Sequence, residues 1–212
     1  MKFDPGEMDM QAVYKLLTGL VVPRPIGWAS TRSPEGVDNL APFSFFIAIT
    51  PSPPHVAISV GQREGQMKDT LRNVRHTGDF VINTVSSEVV EQMNTTSGDW
   101  PPDSSEFAVS GLTPVPSDVV TPARVAEAPA SMECLVRQIV PVGGPPYGAH
   151  LIIGEVVRFH VRDDLVLERG RIDQRRLQAV GRLAGAGYCS TDDQFELERP
   201  QVGEARSLGG QR

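Results

Sequence analysis

The chain has 212 residues, enough for one substantial domain around one sizeable core. Its formal charge of −6 argues against a nucleic-acid surface and against an anionic membrane partner, while leaving room for a local basic pocket that holds a phosphate. The 40% hydrophobic and 22% charged residues are those of an ordinary soluble domain, and no window approaches the length of a membrane span. The 20 glycines and 18 prolines favour many short strands and turns over a helix bundle. Cys134 and Cys189 form no CxxC pair, and His55, His76, His150 and His160 show no HxxxH or HExxH spacing. Neither a disulfide framework nor a metal site is therefore expected. The first residues carry no long apolar run and no cleavage pattern, so a cytoplasmic protein is expected.

Met8, Val13, Leu16, Leu17 and Leu20 recur at near-helical spacing and predict a short amphipathic helix, with Gly19 as its stop signal. Pro23 and Pro25 then impose extended backbone. Ile26 to Thr31 reads as a strand, Ser33-Pro34-Glu35-Gly36 as a turn, and Val37 to Ala41 as the returning arm of a hairpin. Phe43 to Ile49 is strongly apolar, and the proline cluster from Thr50 to Pro54 reads as a rigid loop. From His55 to Gly61 the chain alternates, with Val56, Ile58 and Val60 on one face and the small Ala57, Ser59 and Gly61 on the other, where a ligand could approach. Met67, Leu71 and Val74 predict a helix from Met67 to Thr77 closed by Gly78. Phe80 to Val85 reads as a strand, followed by a short helix started by Ser86 or Ser87. Asn94 to Ser110 is polar and reads as a long loop or lid. Met132 to Val140 and Leu151 to Val161 read as strands. In the second, Leu151, Ile153, Val157, Phe159 and Val161 share a face, and a bulge is expected where Glu155 follows Gly154. Gly170 to Gly187 is Gly/Arg-rich and helix-poor. The domain is expected to fill residues 1–200, with 201–212 as a flexible tail.

No GxGxxG follows a strand and no GxxxxGK[ST] is present, so any phosphate must be held without a Rossmann or P-loop cradle. Ser30, Thr31, Ser59, Lys68 and Thr70 offer hydroxyls and one ammonium. Lys68-Asp69-Thr70 falls in the first turn of a predicted helix, where unpaired N–H groups attract an anion. Each alone has a plainer reading: Ser30 and Thr31 as strand residues, Asp69 or Thr70 as a helix cap. Asn39 can both donate and accept, and the irregular backbone around Pro42 exposes N–H and C=O groups near Ala41 and Phe43; a strand end with a turn would look the same. His160 shares a strand face with Arg158 and Arg162, either as a cationic patch for nicotinamide phosphates or as a solvated or dimer-facing surface. Cys134 alternates with Met132 and Val136 and reads as core.

The run from Val22 to Phe46 contains Pro23-Arg24-Pro25-Ile26-Gly27-Trp28-Ala29-Ser30-Thr31 and Asn39-Leu40-Ala41-Pro42-Phe43-Ser44-Phe45-Phe46. Ser59-Val60-Gly61, Lys68-Asp69-Thr70-Leu71, Asn73, Gly78, Phe80-Val81-Ile82-Asn83 and Met93-Asn94 follow it. Together they resemble the flavin reductase-like, flavoredoxin-type family of FMN-binding split-barrel proteins. The match continues through Glu133-Cys134, Gly154-Glu155-Val156 and Gly181-Arg182-Leu183, over residues 15 to 190. The resemblance implies a mostly β (α+β) fold, an FMN-binding split β-barrel with a few short helices, and a homodimer with FMN near the subunit interface. It further implies that Trp28, Ser30 and Thr31 line the flavin and its ribityl-phosphate chain, that Asn39, Ala41, Phe43 and Ser44 contact the ring, and that Ser59, Gly61, Lys68 and Thr70 hold the phosphate end. Tyr188 would pack near the ring; the family often has two adjacent glycines after Arg-Leu, where this chain has Ala184 and Gly185.

The function this implies is an oxidoreductase that passes hydride from NADH or NADPH to bound flavin, FMN or alternatively FAD, with the electrons leaving to a free flavin, a monooxygenase partner or another acceptor. No acid–base constellation is apparent, and none is required, because the flavin supplies the chemistry and the protein supplies orientation. The alternative is an FMN-binding electron carrier that does not itself use nicotinamide. A split barrel also leaves open edges that a second subunit could cover.

Overall fold

The computed structural model describes residues 1–62 and 65–200. Helix α1 (Met10–Leu20) starts where the carboxylate of Asp9 accepts from the N–H of Ala12, and it runs through Gly19 rather than stopping there. Strands β1 (Arg24–Pro25), β2 (Gly27–Arg32), β3 (Asp38–Phe43), β4 (Phe46–Pro51) and β5 (Pro54–Gly61) follow. Gly36, at φ 87°, makes the β2–β3 turn. The Thr50–Pro54 cluster is no loop: Pro51 pairs with Pro54, so both prolines belong to a hairpin whose tip is Ser52-Pro53. The β4 side of that hairpin is the outer edge of its sheet, where proline costs no ladder bond.

Helix α2 (Asp69–Thr77) begins two residues later than its apolar spacing predicts, and Gly78 closes it in the left-handed conformation. Strand β6 (Asp79–Thr84) precedes α3 (Val90–Thr95), whose N-cap is Val89 rather than a serine. The polar stretch after it contains a helix of its own, α4 (Glu106–Ser110). Next come β7 (Pro114–Val115), β8 (Arg124–Val125), and the two long strands β9 (Ala130–Val142) and β10 (Ala149–Val161). The last elements are α5 (Gln174–Leu177), β11 (Val180–Arg182) and β12 (Tyr188–Ser190). The sequence-predicted tail, 201–212, lies outside the described residues.

The main sheet has the order β3-β2-β6-β9-β10-β5-β4, every neighbouring pair antiparallel, and β1-β11-β12 forms a small second sheet. The fold is a mostly β split barrel with a few short helices, as expected. Its interior is filled by Val56, Ile58 and Val60 from β5, Phe80 and Ile82 from β6, and Cys134 and Ile152 from β9 and β10. The outer face of β2 is covered as well: Trp28 and Leu40 pack under Met93 of α3 and Phe107 of α4. Coverage on both faces leaves five of the six β2 residues buried.

Strand β10 carries the largest difference from the sequence reading. Its inward residues are Ile152, Gly154 and Val156, while Leu151 and Ile153 are half-buried and Phe159 is exposed. Gly154 makes the inward face possible, because a Cβ there would lie 2.5 Å from the Phe80 ring. The expected bulge is present, as register shifts against β9 at Ile153/Gly154 and Val156/Arg158. Among the described residues no helix is long and apolar enough to cross a membrane.

Candidate functional site

Three clefts meet at Pro42. One, of about 290 Å³, runs between Asn39, Ala41 and Phe43 on the β3 side, Lys68 and Thr70 at the start of α2, and the segment leading from Thr96 to Glu106. A second, of about 520 Å³, shares Phe43 and Lys68 and reaches Ser44, Ser59 and Gly61. The third, of about 200 Å³, joins Ser44 to Arg182 and Tyr188. The barrel topology produces this meeting: β3 ends at Phe43, β5 at Gly61, and α2 begins at Asp69.

The walls carry groups of clear chemical character. Among the described residues no side chain caps the start of α2, and Lys68 stands there with its ammonium 5.9 Å above the Phe43 ring. A Cβ at Gly61 would meet no protein atom within 4 Å, so the space beside that strand end is open to a ligand. Tyr188 presents a ring covered by the Arg182 guanidinium at 4.4 Å, with its hydroxyl donating to Asn94 Oδ1. Buried Arg24 donates from Nε to the Ser44 hydroxyl and from its other nitrogens to the carbonyls of Thr18, Val21 and Leu183, which ties α1 and the β11–β12 turn to this corner.

Under the first cleft lies a buried polar network. Thr31 and Thr70 hydroxyls donate to Asn39 Oδ1, and Asn73 Nδ2 donates to Thr31. Asn39 Nδ2 donates to Glu106 Oε1 at 2.7 Å, and the Leu40 N–H donates to Glu106 Oε2 at 2.9 Å. Burial pushes the Glu106 carboxyl above the ordinary glutamate range, against the opposing pull of the Leu40 and Asn39 donors.

The structure thus brings Asn39, Ala41, Phe43, Ser44, Ser59, Gly61, Lys68, Thr70 and Tyr188 onto linked clefts. Trp28, Ser30 and Thr31 are placed differently. All three are fully buried. Trp28 Nε1 donates to Thr96 Oγ1 at 2.9 Å, and Ser30 donates to the Ala123 carbonyl. The expectation that these side chains line a ligand is corrected: Trp28 packs under α3 and α4, Ser30 and Thr31 are enclosed as well, and their polar atoms serve protein partners, Thr31 those of Asn39 and of Asn73 in α2. Asn39 is likewise largely committed to Glu106, Thr31 and Thr70. Sequence reasoning missed Glu106, which sits in a stretch read as loop; a glutamate after Ser105 is only an ordinary helix-start pattern.

His160 and Arg158 of β10 and Arg162 just beyond it do not form a free patch. His160 Nε2 lies 2.6 Å from Glu133 Oε1, Arg158 faces Asp118 at 3.7 Å, and Arg162 pairs with Glu88 and Asp164.

Comparison with known proteins agrees with this architecture. The flavin reductase like domain model matches residues 19–176. An uncharacterized protein of Halalkalibacterium halodurans is 42% identical over 209 residues, covering 97% of this chain and all of that protein. The crystal structure of nitrilotriacetate monooxygenase component B from Bacillus cereus superposes with a TM-score of 0.90 at 39% identity, covering 93% of this chain and 98% of that one. The 2-nitrobenzoate 2-nitroreductase of Pseudomonas fluorescens superposes with a TM-score of 0.86 at 30% identity, covering 95% and 98%. With its barrel, its clefts and these relatives in agreement, the chain belongs to the flavin reductase-like domain family.

Proposed function

We propose that this protein is an FMN-binding oxidoreductase that uses NADH or NADPH to reduce its flavin and delivers the electrons to a separate acceptor. The observation that carries this reading is the meeting at Pro42. There the backbone of Ala41–Phe43, the ammonium of Lys68 and the uncapped start of α2 converge on linked open clefts, in a chain of the flavin reductase-like family. The residues present fit the cofactor. Pro42 lies within strand β3 rather than in the irregular backbone expected there, and the outer edge of this end strand suits the polar edge of a planar ring, while Lys68 with the α2 N–H groups suits a phosphate. Lys68, the N–H groups at the start of α2, Ser59 and the space at Gly61 would hold the phosphate end, whereas the buried Thr70 hydroxyl is committed to Asn39. Ala41, Phe43 and Ser44 would hold the ring, with Tyr188 packing nearby.

When bound, the flavin supplies the hydride-accepting chemistry. The chain's part is positional: Phe43 and Tyr188 offer apolar surface, the network beneath Asn39 fixes the cleft floor, and Arg24 secures Ser44. FMN is favoured over FAD because, among the described residues, Lys68 and the α2 N–H groups gather the phosphate-binding groups of these clefts at one end. A homodimer is favoured by the exposed Ile47 and Ile49 on edge strand β4 and the exposed Tyr14 and Leu17 of α1. The relative that is a monooxygenase component supports a monooxygenase as the acceptor.

The test is an anaerobic visible spectrum of the FMN-reconstituted protein before and after NADH, with NADPH in parallel. Rapid bleaching of the oxidised-flavin bands is expected. Bands that persist with both donors would overturn nicotinamide use and favour an electron carrier; failure to take up FMN would overturn the flavin reading.

A further inference from the structure

Glu106 is a buried carboxylate with unused capacity. An ionised carboxylate can accept about four hydrogen bonds, and a buried one is costly unless those positions are filled. Among the described residues Glu106 accepts from Asn39 Nδ2, the Leu40 N–H and its own backbone N–H, which leaves its capacity incompletely filled. It also lines the first cleft, so the remaining acceptor positions belong to whatever enters there. The other deeply buried glutamate behaves differently: Glu133 accepts from the N–H groups of Asp118, Val119 and Val120 and from His160 Nε2, which fills its capacity with protein donors.

The position of Glu106 along the cleft selects the ligand group. Asn39 links Glu106 on one side to Thr70 on the other, so Glu106 stands one amide away from the start of α2, where the phosphate is placed above. The backbone of Ala41–Phe43, placed against the ring, continues along the same strand from Leu40, whose N–H Glu106 accepts. A carboxylate between a phosphate locus and a ring locus can only accept, and it repels the phosphate. The groups between ring and phosphate that can donate are hydroxyls.

We propose that Glu106 is a specificity-determining residue of the flavin site, its carboxylate accepting hydrogen bonds from hydroxyls of the sugar-alcohol chain that joins the ring to the phosphate. This rests on the flavin reading above. It separates Glu106 from a purely structural helix-end residue, because a structural defect weakens every flavin alike, whereas a lost hydroxyl contact weakens only flavins that carry the chain.

The experiment titrates the wild-type protein and Glu106→Gln with FMN, riboflavin and lumiflavin, which keeps the ring and its N–H but lacks the chain. For FMN and riboflavin the variant is expected to lose about ten-fold or more in affinity, the worth of one hydrogen bond to a charged acceptor. Lumiflavin affinity is expected to stay unchanged. Equal losses for all three flavins, or none for any, would overturn the assignment. Should Glu106→Gln fail to fold, the wild-type protein decides: riboflavin should bind about ten-fold or more tightly than a 10-pentyl flavin of the same chain length without hydroxyls, and equal affinities overturn the proposal. Wild-type protein that takes up none of these flavins sinks the flavin reading and this inference with it, whereas wild-type uptake matched by an unaffected variant sinks only the role of Glu106.

Discussion

Glu106 and Glu133 are both buried carboxylates, yet the fold holds them in opposite ways. Glu133 lies in β9 and lines none of the three clefts that meet at Pro42. Burial alone would raise its carboxyl, but the Asp118 N–H, His160 and the N–H groups of Val119 and Val120 together bring it below the ordinary range. At Glu106, at the start of α4, burial outweighs the donors from Leu40, its own N–H and Asn39, so its carboxyl sits high. The loop from Asp118 to Val120 is folded onto Glu133, and Thr121 adds its N–H to Asp79 Oδ2 beside it. One carboxylate closes the molecule, and the other faces a cleft. The same contrast reads the group formed by Asp118, Glu133 and His160, whose ligand-type atoms lie within 4.8 Å of one another. Three backbone N–H groups and His160 already bond that carboxylate.

The largest expected effect comes from breaking the saturated site. Glu133→Gln turns one acceptor oxygen into a donor that faces N–H groups, leaving buried donors unpaired. Stability measured by urea unfolding is expected to fall by about 3–5 kcal/mol, the scale for breaking a buried charged network. Glu106→Gln is expected to cost less, about 1–3 kcal/mol, since the Asn39 and Leu40 donors are the distant groups at stake. If the two variants lose equal stability, the distinction between closed and cleft-facing carboxylates fails.

The pH dependence sharpens the comparison further, because the two signs are opposite. A carboxyl held low in the folded protein contributes stability that is present above its unfolded value and is lost as pH falls through the folded value. A carboxyl held high does the reverse: between its unfolded and folded values the native state binds the extra proton, so stability declines as pH rises. Unfolding free energies measured at closely spaced pH values from about 3 to 7 should therefore show Glu133→Gln flattening the acid loss and Glu106→Gln flattening the decline above the ordinary glutamate range. Parallel curves for wild type and both variants would contradict the assigned shifts.

Much of the fold was legible because its signals are local. The i, i+4, i+7 spacing of Met67, Leu71 and Val74, the turn at Ser33–Gly36 and the alternation from His55 to Gly61 each lie within one element. The inward face of β10 was not legible, since apolar residues occupy both of its faces and the deciding contact is Gly154 against the Phe80 ring, far away in the chain. The site divides in the same way. Ala41, Phe43, Ser44 and Lys68 sit at element ends, which proline and helix-start patterns mark. Trp28, Ser30 and Thr31 read as ligand contacts because nothing nearby in the chain announces the partners that enclose them: Thr96 for Trp28, Ala123 for Ser30 and Asn73 of α2 for Thr31. Glu106 was invisible for the same reason: its partners Asn39 and Leu40 lie 67 and 66 positions away.

The smallest effect concerns the exposed end of the cleft. Lys68 stands at the entrance to the start of α2, with its ammonium over Phe43 rather than buried beside a carboxylate. Solvent screens such a charge, so its share in holding a phosphate is modest beside the helix N–H groups. Lys68→Ala is expected to weaken FMN binding by about five-fold in low salt, to leave riboflavin affinity unchanged because riboflavin carries no phosphate, and to lose its effect as salt rises. This pattern is the mirror image of that expected for Glu106→Gln, which weakens FMN and riboflavin together. Fluorescence titrations of both variants with both flavins therefore map the cleft from its two ends. A Lys68 variant that loses riboflavin as strongly as FMN would move the phosphate away from α2, and would take with it the ordering of ring, chain and phosphate on which the role of Glu106 is built.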